Sequence, residues 1–365
     1  MLFSYTYITH NMEKMQEYMD YIFYEVWYKA IYTPEYGIEL FNQKPELKQI
    51  LIDFDIQTSE GGDLFLRSIE EIFYLFQKIN SMQTNQLKAW YEANNNIKAL
   101  CANTAEKTPV TYNELKTFNE PLHDKIKKLF KNLYGDKIIG RVPITKKIGK
   151  IDAHYTAFMK INTKGKCPCC GLNSLKGIYH TKREAYDHYL PKGTYPFNSI
   201  NFKNLIPLCH ECNSSYKLEK NPLYVVPNPI AGRRKAFYLY TDEDINIDVS
   251  VGLNLTRKDE IKPENIVIEF SAVGYEEELE TWKDVFGIEE RYKAECSAEN
   301  DGIDWLEQIT DDIDNYATDI TKDQALDTLR KAKRRKPFAE KRFLKLPFLE
   351  ACNEIGLLDP VIAEE

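Results

Sequence analysis

The chain has 365 residues, 43% of them hydrophobic, and a formal net charge of -8. This length predicts two or three domains, and this composition excludes an intrinsically disordered protein. The negative charge excludes a uniformly basic, nucleic-acid-coating protein, so any contact with nucleic acid must use localised positive charge.

Residues 1–150 are predicted to form a helical region. Apolar residues recur at helical spacing in three stretches that begin near Met12, Phe65 and Leu122. Gly135 follows the third stretch as a stop signal. Aromatic stripes at this spacing are more typical of a core than of a ligand site. We therefore assign this region no chemistry and interpret it as a partner-binding or regulatory part of the chain.

Two Cys-x-x-Cys pairs stand in the middle of the chain. Cys167 pairs with Cys170, and Cys209 pairs with Cys212, while Cys169 occupies a spacer position. Two such pairs can place four thiolates around one zinc ion, with Cys169 pointing elsewhere. Four thiolates leave no open coordination position, so the predicted zinc is structural. The alternatives are four ordinary buried cysteines or a redox pair.

The segment between the two pairs contains the candidate catalytic residues. Asp187 and His188 lie in a short predicted strand, Asn204 begins a second strand, and Asn213 follows the last cysteine on a short predicted helix. A divalent metal site beside a histidine base is suited to phosphodiester hydrolysis. Taken singly, such a His is usually a satisfied polar residue and such an Asn a turn former. Their order within the cysteine frame favours the catalytic interpretation.

These residues resemble the HNH endonuclease family, whose motif is a ββα-metal finger. The resemblance covers about residues 166–221 and rests on the cysteine pairs, "DHYLPK", "NLIPLC" and "CNSSYK" in this order. It implies that His188 is the general base, that Asp187 and Asn213 bind the catalytic ion, and that Asn204 braces the hairpin. Many members of the family have His where this chain has Asn213. An amide oxygen is a harder ligand than imidazole and favours Mg²⁺ or Mn²⁺.

The resemblance implies further expectations about substrate and partners. The substrate is DNA, cleaved to leave 5′-phosphate ends, and Lys192, Lys203 and Lys217 are candidates for phosphate contacts. The wording of the motif is also similar to HNH subunits of bacterial anti-phage systems of the retron and Septu types. Those subunits commonly pair with an ATPase. This likeness predicts a defence effector with an ATPase or other subunit as its partner.

The remainder of the chain is predicted as two further regions. Residues 226–275 read as a small β-rich extension with strands at 237–240, 245–249 and 266–270, and residues 276–365 read as helical. Residues 271–329 carry eighteen acidic and four basic residues. The basic run that follows offers Lys333, Arg334 and Arg335 as phosphate contacts. The acidic segment is expected to dock a partner or mask a basic groove.

The overall expectation is a mainly helical α+β chain with a central HNH nuclease domain at residues 151–225. The scattered cysteines and the absence of an evident signal peptide predict a cytoplasmic protein, and no apolar run predicts a membrane span. A homo-oligomer is one expected assembly. Three alternatives stay open: a non-catalytic zinc-stabilised module that binds nucleic acid, an assembly subunit, and an RNA nuclease.

Overall fold

The computed structural model describes residues 1–225, 232–243, 245–314 and 320–359. Helices dominate, and two antiparallel sheets of two strands each complete the described part. The predicted mainly helical α+β class is therefore confirmed. None of the described helices combines the length and the apolar character that crossing a bilayer would require.

Nine α-helices precede the first sheet, and their ends follow local capping rules. Thr111 and Glu114 form a reciprocal capping box, and the Asn119 side chain caps the next helix, which carries Pro121 in its first turn. The helices are α1 (Lys14–Tyr21), α2 (Pro45–Gln57), α3 (Glu60–Phe76), α4 (Ser81–Asn95), α5 (Ile97–Cys101), α6 (Tyr112–Phe118), α7 (Glu120–Leu133), α8 (Val142–Ile148) and α9 (Ile151–Ile161). A π-helical segment, Ile22–Trp27, continues α1.

An aromatic core joins these helices to the central segment. Phe23 stacks on Tyr91 with ring centroids 4.0 Å apart. Phe197, in the loop after His188, lies 5.3 Å from Tyr91 and 5.4 Å from Phe130. Burying four such rings stabilises the fold and also fixes the loop to the helices. The N-terminal helices therefore determine where this loop lies.

The central segment is a two-stranded hairpin followed by a short helix. Strand β1 (Tyr186–His188) pairs with β2 (Leu205–Pro207) and places Asp187 opposite Ile206. The next helix is π-helical from Cys212 to Lys217, and we call it the finger helix. The order of strand, loop, strand and helix agrees with the sequence prediction. We call residues 166–221 the finger.

The second sheet agrees with the prediction in one strand, is shifted by three residues at the start of the other, and lacks the third. Strand β3 (Asp248–Leu253) pairs with β4 (Ile266–Ser271), whereas residues 237–240 form no strand and end in a turn. The predicted regional boundary at residue 226 lies outside the described residues. The remaining helices are α10 (Glu276–Phe286), α11 (Ile288–Glu295), α12 (Asp301–Asp314), α13 (Lys322–Arg335) and α14 (Arg342–Glu354). Helix α14 packs against β3 and against α12 and α13.

Candidate metal centre and active site

The four predicted cysteines converge on one point. Their Sγ atoms all lie within 4.8 Å of one another, and all four residues are buried. The Cys170 and Cys209 sulfurs are 3.9 Å apart, close to the edge of about 3.8 Å that a tetrahedron of 2.3 Å Zn–S bonds would have. Cys169 is not a member of this group. The cluster can therefore hold a metal ion.

Nitrogen donors surround the cysteine sulfurs. The Cys212 amide donates to Cys209 Sγ at 3.4 Å, and the Asn173 side chain donates to the same sulfur at 3.6 Å. Arg291 of α11 donates to Cys212 Sγ at 3.2 Å. Burial alone disfavours the charge of Arg291, but the sulfurs of Cys212 and Cys170 raise its pKa. These donors favour the thiolate form, which is the form that binds metal.

Asp187 lies in the interior and is paired with a lysine. Lys217 Nζ donates to Asp187 Oδ1 at 3.1 Å and lies 3.0 Å from Oδ2, which accepts no well-aligned hydrogen bond. The same ammonium donates to the His188 carbonyl at 3.0 Å. Burial raises the pKa of Asp187, and the Lys217 charge opposes this rise. Lys217 has no exposed side-chain surface, so in this structure it acts inside the finger and offers no surface contact.

The geometry of the finger helix explains why Lys217 points inward. The π-helical segment ends where the Leu218 amide donates to the Asn213 carbonyl. Leu218 has a φ of 47°, a left-handed conformation that is unusual for a branched residue. Such π-helical turns and left-handed residues are frequent at functional sites, where they redirect a side chain. Here the π-helical turn and Leu218 turn the backbone away after Lys217, so that the Lys217 ammonium points toward β1.

His188 is partly exposed and is held by the loop between the strands. Its Nε2 lies 2.9 Å from the Ser199 carbonyl oxygen. Because a carbonyl only accepts, Nε2 carries the proton and Nδ1 keeps a free lone pair. Burial, followed by the charge of Lys192, lowers the pKa of His188 to about 3. His188 is therefore neutral at pH 7 and can accept a proton.

Tyr134, which directly follows α7, completes the surroundings of His188. Its ring meets the imidazole edge to face, with centroids 4.8 Å apart. Lys192 Nζ lies 5.4 Å from the centroid of the same Tyr134 ring. No local motif in residues 120–150 marks Tyr134, and only the tertiary fold brings it here.

Asn204 is fully buried and joins the two strands of the finger. Its Oδ1 accepts from the Leu190 amide at 2.8 Å, and its Nδ2 donates to the Leu190 carbonyl at 3.0 Å. The pair of bonds satisfies both backbone groups of one residue just beyond β1. Asn204 thereby fixes the hairpin that holds His188.

The other predicted site residues have varied surroundings. Asn213 lies on the finger helix, half-buried and four residues before Lys217. Lys203 is exposed, with its ammonium 5.9 Å from the Tyr7 ring centroid. Arg334 and Arg335 are exposed at the end of α13. Lys333, on the same helix, lines a groove with Phe3 and Phe338.

Sequence reasoning gave no indication of two contributors to these two sites, and it predicted the wrong role for a third. Arg291 lies 79 residues after Cys212, and Tyr134 lies 54 residues before His188, so no spacing links either of them to the motif. Lys217 was noticed, but the sequence predicted a phosphate contact where the structure has a buried ion pair. Its position in "CNSSYK" does not distinguish the two roles, because the π-helical turn decides its direction.

Comparison with known proteins adds little to this geometry. The chain is 31% identical over 122 residues to Protein ea31 of Escherichia phage lambda, a match that covers 33% of this chain and 32% of that protein. The chain thus spans about a third of the length of this relative. No family model matches the chain, and no solved structure resembles it significantly.

Proposed function

We propose that this protein is a metal-dependent endonuclease of the HNH type that hydrolyses phosphodiester bonds in DNA. The observation that carries the proposal is the state of His188. The imidazole is neutral, its Nε2 proton is held by the Ser199 carbonyl, and it follows the buried Asp187 directly in β1, where Lys217 binds both the Asp187 carboxylate and the His188 carbonyl. This neighbourhood occurs within a hairpin and helix framed by four cysteines, as the resemblance to HNH nucleases requires.

The residues of the chain take distinct parts in the proposed reaction. His188 Nδ1 accepts a proton from the attacking water, while the Ser199 carbonyl fixes the orientation of the ring. Asn204 acts through the backbone of Leu190 and keeps β1 and the following loop in place. Lys192 supplies positive charge beside His188, where it contacts the phosphate.

Asp187 and Asn213 would hold the catalytic Mg²⁺ or Mn²⁺. Carboxylate and amide oxygens suit a hard cation, and Asp187 Oδ2 is a buried oxygen without a well-aligned donor. When bound, such an ion neutralises negative charge that develops at the phosphate. The Lys217 ammonium lies against both Asp187 carboxylate oxygens. A cation therefore binds to Asp187 either together with this ammonium or after the Lys217 side chain has moved away.

Zinc is the proposed occupant of the cysteine cluster. Four buried sulfurs within 4.8 Å of one another, two of them 3.9 Å apart, are the ligand set of structural zinc. The surrounding N–H donors from Arg291, Asn173 and the backbone complete the outer layer that such sites require.

We further propose that the protein serves in bacterial anti-phage defence and that an ATPase or a second copy of the chain controls it. This part rests on the similarity of the motif wording to defence-associated HNH subunits. A nuclease in the host cytoplasm needs control, and most of this chain lies outside the finger.

The test is cleavage of supercoiled plasmid, linear duplex, single-stranded DNA and RNA by the full chain with Mg²⁺ or Mn²⁺. We expect the wild type to cleave DNA and His188→Ala to lose at least about 100-fold in rate, because it lacks the base. His180→Ala is the matched control, since His180 is an exposed histidine of the finger whose ring, among the described residues, hydrogen-bonds with Gly177 alone. Cleavage of RNA alone would replace the DNA proposal. Equal rates for wild type and His188→Ala would overturn the assignment of the base.

A further inference from the structure

The surface beside His188 is shared between the finger and the N-terminal helices. Helix α7 ends at Leu133, and Tyr134 directly after it covers the His188 ring. Lys192 of the finger approaches the same tyrosine ring. Lys131 lies in the last turn of α7, three residues before Tyr134, and is exposed, and its charge acts on Lys192. Lys192 by contact, and Lys131 by its position three residues earlier in the chain, therefore both belong to the surroundings of Tyr134.

Neither lysine has a counter-ion in the described part of the chain. The ion pairs of that part include Lys125 with Glu71 and Lys116 with Glu120, but they do not include Lys131 or Lys192. Burial lowers the pKa of Lys192, and the charge of Lys131 lowers it further. The repulsion between the half-buried Lys192 and the exposed Lys131 is relieved when an anion binds to both ammonium groups.

Three other lysines of the basic stretch at residues 121–150 have surroundings that differ from those of Lys131. Lys125 is neutralised by Glu71 at 2.8 Å, and Lys127 lies over the Tyr112 ring at 5.4 Å. Lys150 and Arg183 line a cavity of about 330 Å³ together with Tyr134. Arg183 is already bound by Asp152 at 2.6 Å. Among the described residues, Lys192 is an unpaired charge that acts on His188, and Lys131 is an unpaired charge that acts on Lys192.

We propose that Lys131 of α7 and Lys192 of the finger together form a binding site for a backbone phosphate of the nucleic acid, next to the phosphate that His188 attacks. This inference rests on the proposed function and gives the N-terminal helices a part in it: α7 is one wall of the substrate cleft. Such contacts position the backbone without reading its sequence.

Binding of a fluorescently labelled 20-base-pair duplex, measured by anisotropy, tests this inference without cleavage. All variants carry His188→Ala and are studied in buffer without added divalent cation. We expect Lys131→Gln and Lys192→Gln each to weaken binding about 3- to 10-fold. Each should also reduce the slope of log affinity against log salt by about 0.9, as for one lost phosphate contact.

Lys125→Gln is the matched control, because it removes the same charge from the same helix on the face that pairs with Glu71. Its affinity should change less than about 2-fold, since a remote charge is screened by salt. If Lys131→Gln binds as tightly as Lys125→Gln, the phosphate site is wrong, whatever the cleavage assay gives. If Lys131→Gln weakens binding but the wild type cleaves nothing, the site stands and the nuclease proposal falls.

Discussion

The cysteine cluster and the surroundings of His188 lie in the same finger but are specified in different ways. The cluster is formed by a turn at residues 167–170 and by the start of the finger helix at residues 209–212, and each of these two local segments carries its own pair of sulfurs. The His188 site combines β1, the loop at Ser199, the finger helix at Lys217 and Tyr134 beyond α7. A site built from local turns can be recognised from spacing alone, whereas a site built from distant elements depends on the whole fold.

The largest expected effect comes from the cysteine cluster. Cys170→Ser should abolish metal binding and unfold the finger, because structural zinc in such motifs contributes roughly 10 kcal/mol or more to folding. Metal analysis should fall from about one zinc per chain to near zero. Cys169→Ala is the control, because Cys169 lies in the same turn but outside the cluster, and it should keep its zinc. Folded wild-type protein that contains no zinc would contradict the assignment of the cysteine cluster as a structural zinc site.

Lys217→Met should have the next largest effect, now in the His188 site. Removing one partner of a buried ion pair costs about 3–5 kcal/mol, because Asp187 would be left as an unpaired internal charge. Urea denaturation measures the loss. If Asp187 binds the catalytic cation, Mn²⁺ should stabilise Lys217→Met more than the wild type.

Lys220→Met serves as the control, because the Lys220 ammonium contacts only the Asp284 carbonyl at the surface. It should lose less than about 1 kcal/mol, as is usual for exposed contacts. An equal response of Lys217→Met and wild type to Mn²⁺ would count against Asp187 as a metal ligand.

The cysteine cluster could be predicted from the sequence because its residues lie in short local segments. Much of the His188 site could not, because its residues come from distant parts of the chain. The four cysteines, the order of strands and helix in the finger, and α7 were predicted from spacing, periodicity and end signals, and the structure confirms them. The predicted strand at 266–270 is confirmed by β4, the one at 245–249 overlaps β3 but starts three residues early, and the one at 237–240 is wrong, because that apolar, aromatic segment ends in a turn. The role of Lys217 and the presence of Tyr134 depend on a π-helical turn and on tertiary packing, neither of which has a local signal.

The smallest expected effect concerns His154, which supports β1 from behind. His154 Nδ1 lies 2.5 Å from the Tyr186 hydroxyl, and the His10 ring lies 5.2 Å from the His154 ring. Burial, followed by the charge of His10, lowers the pKa of His154 to about 3. In the unfolded chain His154 is therefore protonated below about pH 6.5. In the folded chain it stays neutral until the pH falls to about 3. The free energy of unfolding therefore decreases as the pH falls from about 6.5 toward 3.

His154→Gln removes this titration. Between pH 7 and pH 5 it should lose about 2 kcal/mol less of its unfolding free energy than the wild type loses. His180→Ala, at an exposed histidine, should keep the wild-type pH dependence. Identical pH dependence in His154→Gln and wild type would show that His154 titrates normally in the folded protein.

The central claim is that one finger contains two metal sites of different chemistry, a closed thiolate site for folding and an oxygen site for catalysis. Purified chain freed of loosely bound cations by gel filtration should keep about one zinc and cleave no DNA. Titration with Mg²⁺ or Mn²⁺ should then restore cleavage while the zinc content stays constant. Cleavage that follows the zinc content, or that needs no added cation, would contradict the claim.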